Sequence, residues 1–161
     1  MSYRIGTGYD AHVFAEGRPL ILGGVTVPHT KGLMGHSDAD ALCHALSDAL
    51  LGAAALGNIG KFFPDSDPKW KGADSLLISK ECGGMVRGKG WQIENLDSTI
   101  VCQKPKLAAY LVPMARLIEE TLELNLDSVS VKAKTTEGMG FEGREEGLSV
   151  QAIALLKRIK E

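Results

Sequence analysis

The stretch His36–Gly57, HSDADALCHALSDALLGAAALG, predicts the first long helix of the chain. Serine and aspartate precede an apolar run, a pattern typical of a helix start, so we expect Ser37 or Asp38 to cap the helix. We expect Gly57 to end it. The apolar positions recur at helical spacing, namely Ala41, Leu42, Ala45, Leu46, Ala49 and Leu50.

Strands and helices alternate on both sides of this helix. Arg4–Asp10 and Leu20–Val27 are short strand patterns, with a hairpin-like turn at Gly23–Gly24. We expect a second helix, capped by Asp74, weakening around Gly83–Gly84 and ending near Gly88. The remaining elements follow in the order strand (Trp91–Gln103), helix (Leu107–Leu124), strand (Ser128–Thr135) and, after a glycine-rich turn, a last helix (Leu148–Glu161). This order predicts α/β layering in one domain, residues 1–161.

The bulk composition excludes several classes of function. The chain has 161 residues and a net charge of −2, which predicts no nucleic-acid partner and no polybasic membrane patch. No membrane-spanning apolar run and no targeting segment is visible, so we expect a cytoplasmic protein or an already trimmed mature form. Cys43, Cys82 and Cys102 are odd in number and far apart, which predicts buried thiols in a reducing compartment.

A metal site is the first chemical hypothesis. Asp10 and His12 are two apart on a predicted strand and so point to the same face. His44, between Asp40 and Asp48 on one side of the helix, is expected to be half-buried. Two histidines and one carboxylate form a zinc set of the catalytic type, with a fourth position open. A polar strand edge and a hydrogen-bonded core histidine are the alternative interpretations.

Two helix starts are candidate phosphate sites. His36 and Ser37 precede the first helix, where free N–H groups and the helix dipole favour anions; simple N-capping by Ser37 is the alternative. Lys104 and Lys106 lie near the start of a later helix, although lysines are common at loop ends.

The segment KAKTTEGMGFEGREEG, Lys132–Gly147, is the other candidate site. Lys132 and Lys134 share a strand face, and the glycines after them let a backbone approach a ligand closely. Glu137, beside Thr135 and Thr136, could hold Mg²⁺ on a diphosphate. A surface turn of mixed charge is the alternative.

From about Arg4 to Lys157, the chain closely resembles the 2-C-methyl-D-erythritol 2,4-cyclodiphosphate synthase family. Four segments carry the resemblance, in this order: GYDAH, the block from GHSDADALCHALSDALLGAAALG to GADS, KPKL, and VKAKTTEGMGFEGREEG. The resemblance implies a compact α/β (α+β) domain with helices on a mixed four-stranded sheet plus a short N-terminal hairpin. It also implies a homotrimer with active sites between subunits. The implied reaction belongs to bacterial non-mevalonate isoprenoid biosynthesis: the 2-phosphate of 4-diphosphocytidyl-2-C-methyl-D-erythritol 2-phosphate attacks the β-phosphate, and CMP leaves.

The resemblance also implies the roles of individual residues. Zinc, or another divalent transition metal, would bind Asp10, His12 and His44, and Mg²⁺ or Mn²⁺ would bind Glu137 and the phosphates. His36 and Thr135 would stabilise the transition state. Phe141 and Arg144 would face an isoprenoid diphosphate in the central cavity of the trimer. The remaining substrate contacts would be Ser37, Asn58, Gly60, Phe63, Pro64, Asp65, Ser66, Asp67, Cys102, Gln103, Lys104, Pro105, Lys106, Leu107, Ala108, Ala133, Lys134 and Thr136.

Two positions depart from the family pattern. Asn58 stands where aspartate is usual for the ribose hydroxyls, so we expect weaker cytidine binding. Gly138 stands where lysine is common, which removes any phosphate contact by that side chain.

Two other functions use the same residues: a zinc hydrolase of phosphate esters with Asp38 or Asp48 as base, and a nucleotide- or metal-sensing module without turnover.

Overall fold

The fold is built on one principal β-sheet. The structure is a computed structural model that describes residues 2–159, and within that range this sheet has five strands. They are β1 (Tyr3–Ala15), β4 (Gly32–Leu33), β5 (Trp91–Val101), β6 (Val129–Lys134) and β7 (Gly147–Arg158), and their order across the sheet is β4-β1-β7-β5-β6. Only β5 and β6 pair in parallel, so the sheet is mixed as expected. The expected count of four strands was wrong, because the two-residue β4 adds to the edge of β1.

The hairpin expected at Gly23–Gly24 is present, as β2 (Leu20–Leu22) paired with β3 (Val25–Val27). The N-terminal strand is not part of it. Instead β1 pairs along its length with β7, from Tyr3–Lys157 to Val13–Gly147.

The predicted last helix was wrong, because Gly147–Arg158 is the central strand β7. Its alanine, leucine and lysine residues favour a helix, but burial alternates along it: Val150, Ala152 and Ala154 are buried, whereas Gln151 and Ile153 are exposed. Pairing with β1 and β5 on its two sides overrides the local propensity. Lys160 and Glu161, the end of that predicted helix, lie outside the described residues.

Three longer helices cover one face of the sheet: α1 (Ala41–Ala53), α3 (Ser75–Gly88) and α4 (Leu111–Thr121). There are also two single helical turns, α2 (Ile59–Phe62) and α5 (Gly140–Gly143). The turn α5 lies at the opposite face, where Ser149 Oγ donates to Glu142. Asp74 caps α3 as expected, and α3 continues through Gly83–Gly84. The helix predicted over Leu107–Leu124 is a 3₁₀ turn, Ala108–Tyr110, followed by α4.

The caps predicted for α1 were wrong. The fully buried Asp40 is its N-cap and accepts hydrogen bonds from the backbone N–H groups of Cys43, Gly23 and Gly24. One carboxylate thereby joins the β2–β3 turn to the helix start. Ser37 and Asp38 lie two or more residues before this position and do not cap the helix. The helix ends at Ala53, before Gly57. No helix in residues 2–159 is long and apolar enough to cross a membrane.

Candidate metal centre

Three side chains from two elements converge at the boundary of β1 and α1. Asp10 Oδ2 lies 2.8 Å from His12 Nε2 and 3.1 Å from His44 Nδ1, and the two nitrogens lie 3.3 Å apart. Four tetrahedral ligands at zinc bond lengths stand roughly 3.3 Å from one another. The three atoms therefore form one face of a tetrahedron that a zinc-sized ion fits. Within residues 2–159, this is the group of three that could hold a metal ion.

Local chain geometry produces this convergence. Asp10 and His12 alternate with the exposed Tyr9, Ala11 and Val13 along β1, so both face the helical layer. His44 lies one turn into α1, which packs directly on β1. The ligands keep partial solvent access, at 24%, 17% and 12% exposure for Asp10, His12 and His44, so a substrate can reach a fourth position.

Each histidine has one ring nitrogen engaged outside the triad. His12 Nδ1–H donates to the carbonyl oxygen of Met34 at 2.7 Å, which leaves Nε2 with its lone pair toward Asp10. His44 Nε2 lies 2.9 Å from Ser75 Oγ and 3.1 Å from Ser37 Oγ, which leaves Nδ1 facing the triad. Such outer hydrogen bonds fix the tautomer of metal-binding histidines.

The electrostatics of the triad favour a cation. Burial opposes the ionised form of Asp10, but hydrogen bonds and charges from His12 and His44 outweigh it and lower its pKa to about 2. Burial also opposes the protonated form of His12, yet its hydrogen bond and ion pair with Asp10 raise its pKa above the ordinary value. Both shifts have the same cause, the attraction between the Asp10 carboxylate and positive charge at the place where a metal ion would bind.

The loop before α1 carries His36 and Ser37, and Ser37 Oγ lies 3.1 Å from His44 Nε2. Arg18 donates hydrogen bonds to the carbonyl oxygens of Gly35 and Ser37, at 3.0 and 2.8 Å, and the His36 carbonyl accepts from the Gly72 N–H. His36 Nε2 is buried and has no hydrogen-bond partner in the part of the chain that the structure describes. A buried ring nitrogen without a partner is unusual, and it is available to a ligand.

The Asn58–Asp67 segment is anchored beside the triad by Asp48. Its carboxylate accepts the Ile59 N–H at 2.7 Å, one helical turn beyond His44. The Asn58 side chain is exposed and makes no capping hydrogen bond. Phe63 is turned inward onto Trp70, with ring centroids 4.8 Å apart, so its side chain belongs to a small core with Leu51, Ile78 and Cys82.

The predicted nucleotide-binding segments meet elsewhere on the sheet. The Cys102 N–H donates to the Lys134 carbonyl at 2.8 Å, and a cleft of about 220 Å³ lies between Cys102–Leu111 and Ala133–Thr135. Glu137 follows it, exposed, with its N–H 3.4 Å from Thr135 Oγ1. Phe141 lies in α5, and Arg144 pairs with Glu146 at 2.8 Å.

Within one chain the cleft and the triad are separate. Asp10, Val150, Ile100 and Ala133 form one row across β1, β7, β5 and β6. The row spans three strand spacings, roughly 14 Å. One chain therefore presents the metal triad and this cleft at different edges of its sheet.

Two groups that support the triad were not predicted from the sequence. Asp38 was expected as a cap or a base, and Ser75 was not singled out; both lie behind His44 in the structure. Ser75 is 31 residues from His44 in the chain, and no local spacing indicates their contact.

The three cysteines are buried and unpaired in the described chain, as expected.

Comparison with known proteins identifies the family. Residues 3–157 match the YgbB family. The 2-C-methyl-D-erythritol 2,4-cyclodiphosphate synthases of Bacillus cereus and Bacillus mycoides are 55% and 54% identical, over 97% of this chain and 99% of theirs.

Solved structures give the same relationship. A synthase structure with CDP bound superposes with a TM-score of 0.87 at 36% identity, covering 96% of this chain and all of that one. The bifunctional IspDF of Campylobacter jejuni superposes with a TM-score of 0.95 at 43% sequence identity. The match covers 99% of this chain and 43% of the length of that longer protein. The chain therefore belongs to the YgbB family, among its 2-C-methyl-D-erythritol 2,4-cyclodiphosphate synthases.

Proposed function

We propose that the chain cyclises 4-diphosphocytidyl-2-C-methyl-D-erythritol 2-phosphate to 2-C-methyl-D-erythritol 2,4-cyclodiphosphate and CMP. An oxygen of the 2-phosphate bonds to the β-phosphorus, and the bond from that phosphorus to the CMP oxygen breaks, so no water is consumed. The convergence of Asp10, His12 and His44 supports this proposal. Relatives that are more than 50% identical over nearly the whole chain are named as synthases of this cyclic diphosphate, which supports it as well. The match over residues 3–157 supports one synthase domain for residues 1–161.

The donor set fits a zinc ion. Two imidazole nitrogens and one carboxylate oxygen are ligands that zinc prefers, and three protein ligands leave a position for a substrate oxygen. Bound there, zinc supplies Lewis-acid polarisation and a fixed orientation for the β-phosphate. We propose that Glu137 holds Mg²⁺ or Mn²⁺ jointly with the phosphates, since its exposed carboxylate is the hard oxygen ligand that these ions take.

The chain's own groups position the phosphates. Phosphoryl transfer depends mainly on alignment and on neutralising charge. The unpartnered Nε2 of His36 is suited to a phosphate oxygen in the transition state, and Ser37 to the methylerythritol phosphate. Lys134 ends β6 and Thr135 follows it beside the cleft, where both would meet the diphosphate. Asn58, on an exposed turn, would hold the ribose hydroxyls.

The other predicted substrate contacts keep their proposed roles. Cys102–Ala108 and Ala133–Thr136 would bind the cytosine and its phosphates through the groups lining their shared cleft. Gly60 and Phe63–Asp67 would close over the sugar; the buried Phe63 would contribute backbone groups to this closure.

We propose a homotrimer with active sites between subunits. The roughly 14 Å between triad and cleft in one chain supports completion of each site by a neighbour. The sheet face opposite the helices also exposes large apolar side chains, Tyr3, Ile5, Tyr9, Val13 and Ile153, which a subunit contact would cover. Phe141 and Arg144 would bind an isoprenoid diphosphate in the central cavity.

Metal removal tests the proposal. Protein stripped by a chelator and dialysed should release no CMP from the substrate when Mg²⁺ alone is present, and zinc added back at one equivalent per chain, with Mg²⁺ still present, should restore release. A sensing module would bind the nucleotide without releasing CMP under either condition. A zinc hydrolase would release CMP but give an open-chain product containing one added water.

A further inference from the structure

We propose that Ser75 and Asp38 form a positioning pair that orients His44 for metal binding, an inference that rests on the proposed function of the triad. Neither residue touches the three ligand atoms of the triad, so both act through the outer nitrogen of His44. The pair links α3 to the loop before α1, behind the metal centre.

The hydrogen bonds run in one direction through the pair. His44 Nε2–H donates to Ser75 Oγ at 2.9 Å. The Ser75 hydroxyl donates in turn to Asp38 Oδ1, and the Ser75 backbone N–H donates to Asp38 Oδ2 at 3.1 Å. Because the carboxylate takes the hydroxyl proton, the serine oxygen presents its lone pairs to the imidazole.

Ser37 is the competing acceptor, and it is the weaker one. Its Oγ lies 3.1 Å from His44 Nε2 and also accepts the N–H of Ala39 at 3.2 Å. Ser75 is closer, fully buried and held at both its N–H and its hydroxyl by one carboxylate. Asp38 is itself fixed, because its N–H donates to the Ala73 carbonyl and its Oδ1 accepts from the Asp40 N–H.

The pair has two consequences for His44. Anchoring Nε2–H keeps Nδ1 turned toward Asp10 Oδ2 and His12 Nε2. A carboxylate at the end of the hydrogen-bond chain also makes the ligating nitrogen more basic, and such outer partners commonly contribute 10–100-fold to metal affinity. Water has no access to replace the hydroxyl at a fully buried serine.

The test compares two serine variants of α3. Ser75→Ala removes the closer of the two acceptors and leaves Ser37. Ser79→Ala, one turn later, removes a buried hydroxyl that contacts Ser47 and the Cys43 carbonyl instead. Zinc affinity is measured by competition with a chromophoric chelator, and ligand geometry by the visible spectrum of the Co²⁺-loaded protein. We expect Ser75→Ala to lose about 10–100-fold in zinc affinity with an altered Co²⁺ spectrum, and Ser79→Ala to change neither.

Asp38→Asn keeps the shape but removes the charge, so it tests the pair where Ser75→Ala fails to fold. We expect it to lose about tenfold in zinc affinity in the wild-type background. Where Ser75→Ala folds, Asp38→Asn should lose much less in that background. Wild-type zinc affinity and Co²⁺ spectrum in Ser75→Ala or Asp38→Asn would overturn the proposal. These readouts need no substrate, so a wild-type protein that binds zinc but forms no cyclic product would refute the proposed function and leave this inference standing.

Discussion

Gly8 of β1 lies directly against Ala45 of α1: a methyl group on Gly8 would stand 1.8 Å from the Ala45 carbonyl oxygen. Gly6 makes the same approach to Ala49, at 2.1 Å from its carbonyl. Helix and strand backbones thus meet without intervening side chains. This contact places His44, the residue before Ala45, within 3.1 Å of Asp10 on the strand.

Gly8→Ala should therefore lower the free energy of unfolding by about 1–3 kcal/mol, because backbone atoms cannot yield as a flexible side chain can. It should also weaken zinc binding, since α1 must move away from β1. Denaturant unfolding and zinc competition measure both effects. Gly52→Ala, on α1 with its nearest atom at 3.8 Å, is the control and should be neutral or slightly stabilising. Unchanged stability in Gly8→Ala would refute the close contact.

His44→Ala should abolish CMP release and lower zinc stoichiometry while leaving a folded protein, because the side chain lies at the edge of the core. Turnover, metal content and circular dichroism test this. His29→Ala is the matched control, since His29 packs on Phe14 outside the triad, and it should keep both metal and activity. Retained turnover in His44→Ala would argue against the metal assignment.

Asn58→Asp should lower KM for the substrate about fivefold, because a charged acceptor strengthens a hydrogen bond to ribose by about 1 kcal/mol. The kcat should stay unchanged. Asn125→Asp adds the same charge on an exposed loop and should leave KM as it is. A KM that stays constant or rises in Asn58→Asp would refute the ribose contact.

Zinc affinity should fall as the pH is lowered, by about tenfold per pH unit below the pKa of His12. Asp10, with a pKa of about 2, stays ionised through this range. His12 has a raised pKa in the metal-free protein, so a proton competes with zinc up to a higher pH than at a free imidazole. Zinc titrations between about pH 5.5 and about pH 8 measure the slope, and an affinity independent of pH would contradict it.

Local patterns in the sequence were sufficient to predict the positions of the metal-centre residues within their own strand and helix. Strand alternation gave the shared face of Asp10 and His12, and helical spacing gave the half-buried position of His44; the structure brings all three together. Neither pattern gives the distance between strand and helix. That distance depends on Gly6 and Gly8, whose significance appears only when α1 lies on them.

The errors in the fold came from forces that act across the chain. The Ala- and Leu-rich segment Gly147–Arg158 favours a helix locally and becomes a strand because β1 and β5 pair with it. Asp40 caps α1 in place of Ser37 or Asp38 because it also binds the distant Gly23–Gly24 turn. Ser75 reaches His44 from another helix. Each of these contacts joins residues that no spacing rule connects.

Phosphorus NMR of the zinc- and magnesium-loaded protein with 4-diphosphocytidyl-2-C-methyl-D-erythritol 2-phosphate tests the central claim most directly. The account predicts two mutually coupled cyclic-diphosphate signals that grow in step with the signal of CMP, while the substrate signals decline. An uncoupled phosphomonoester product, or substrate signals that persist unchanged, would contradict it.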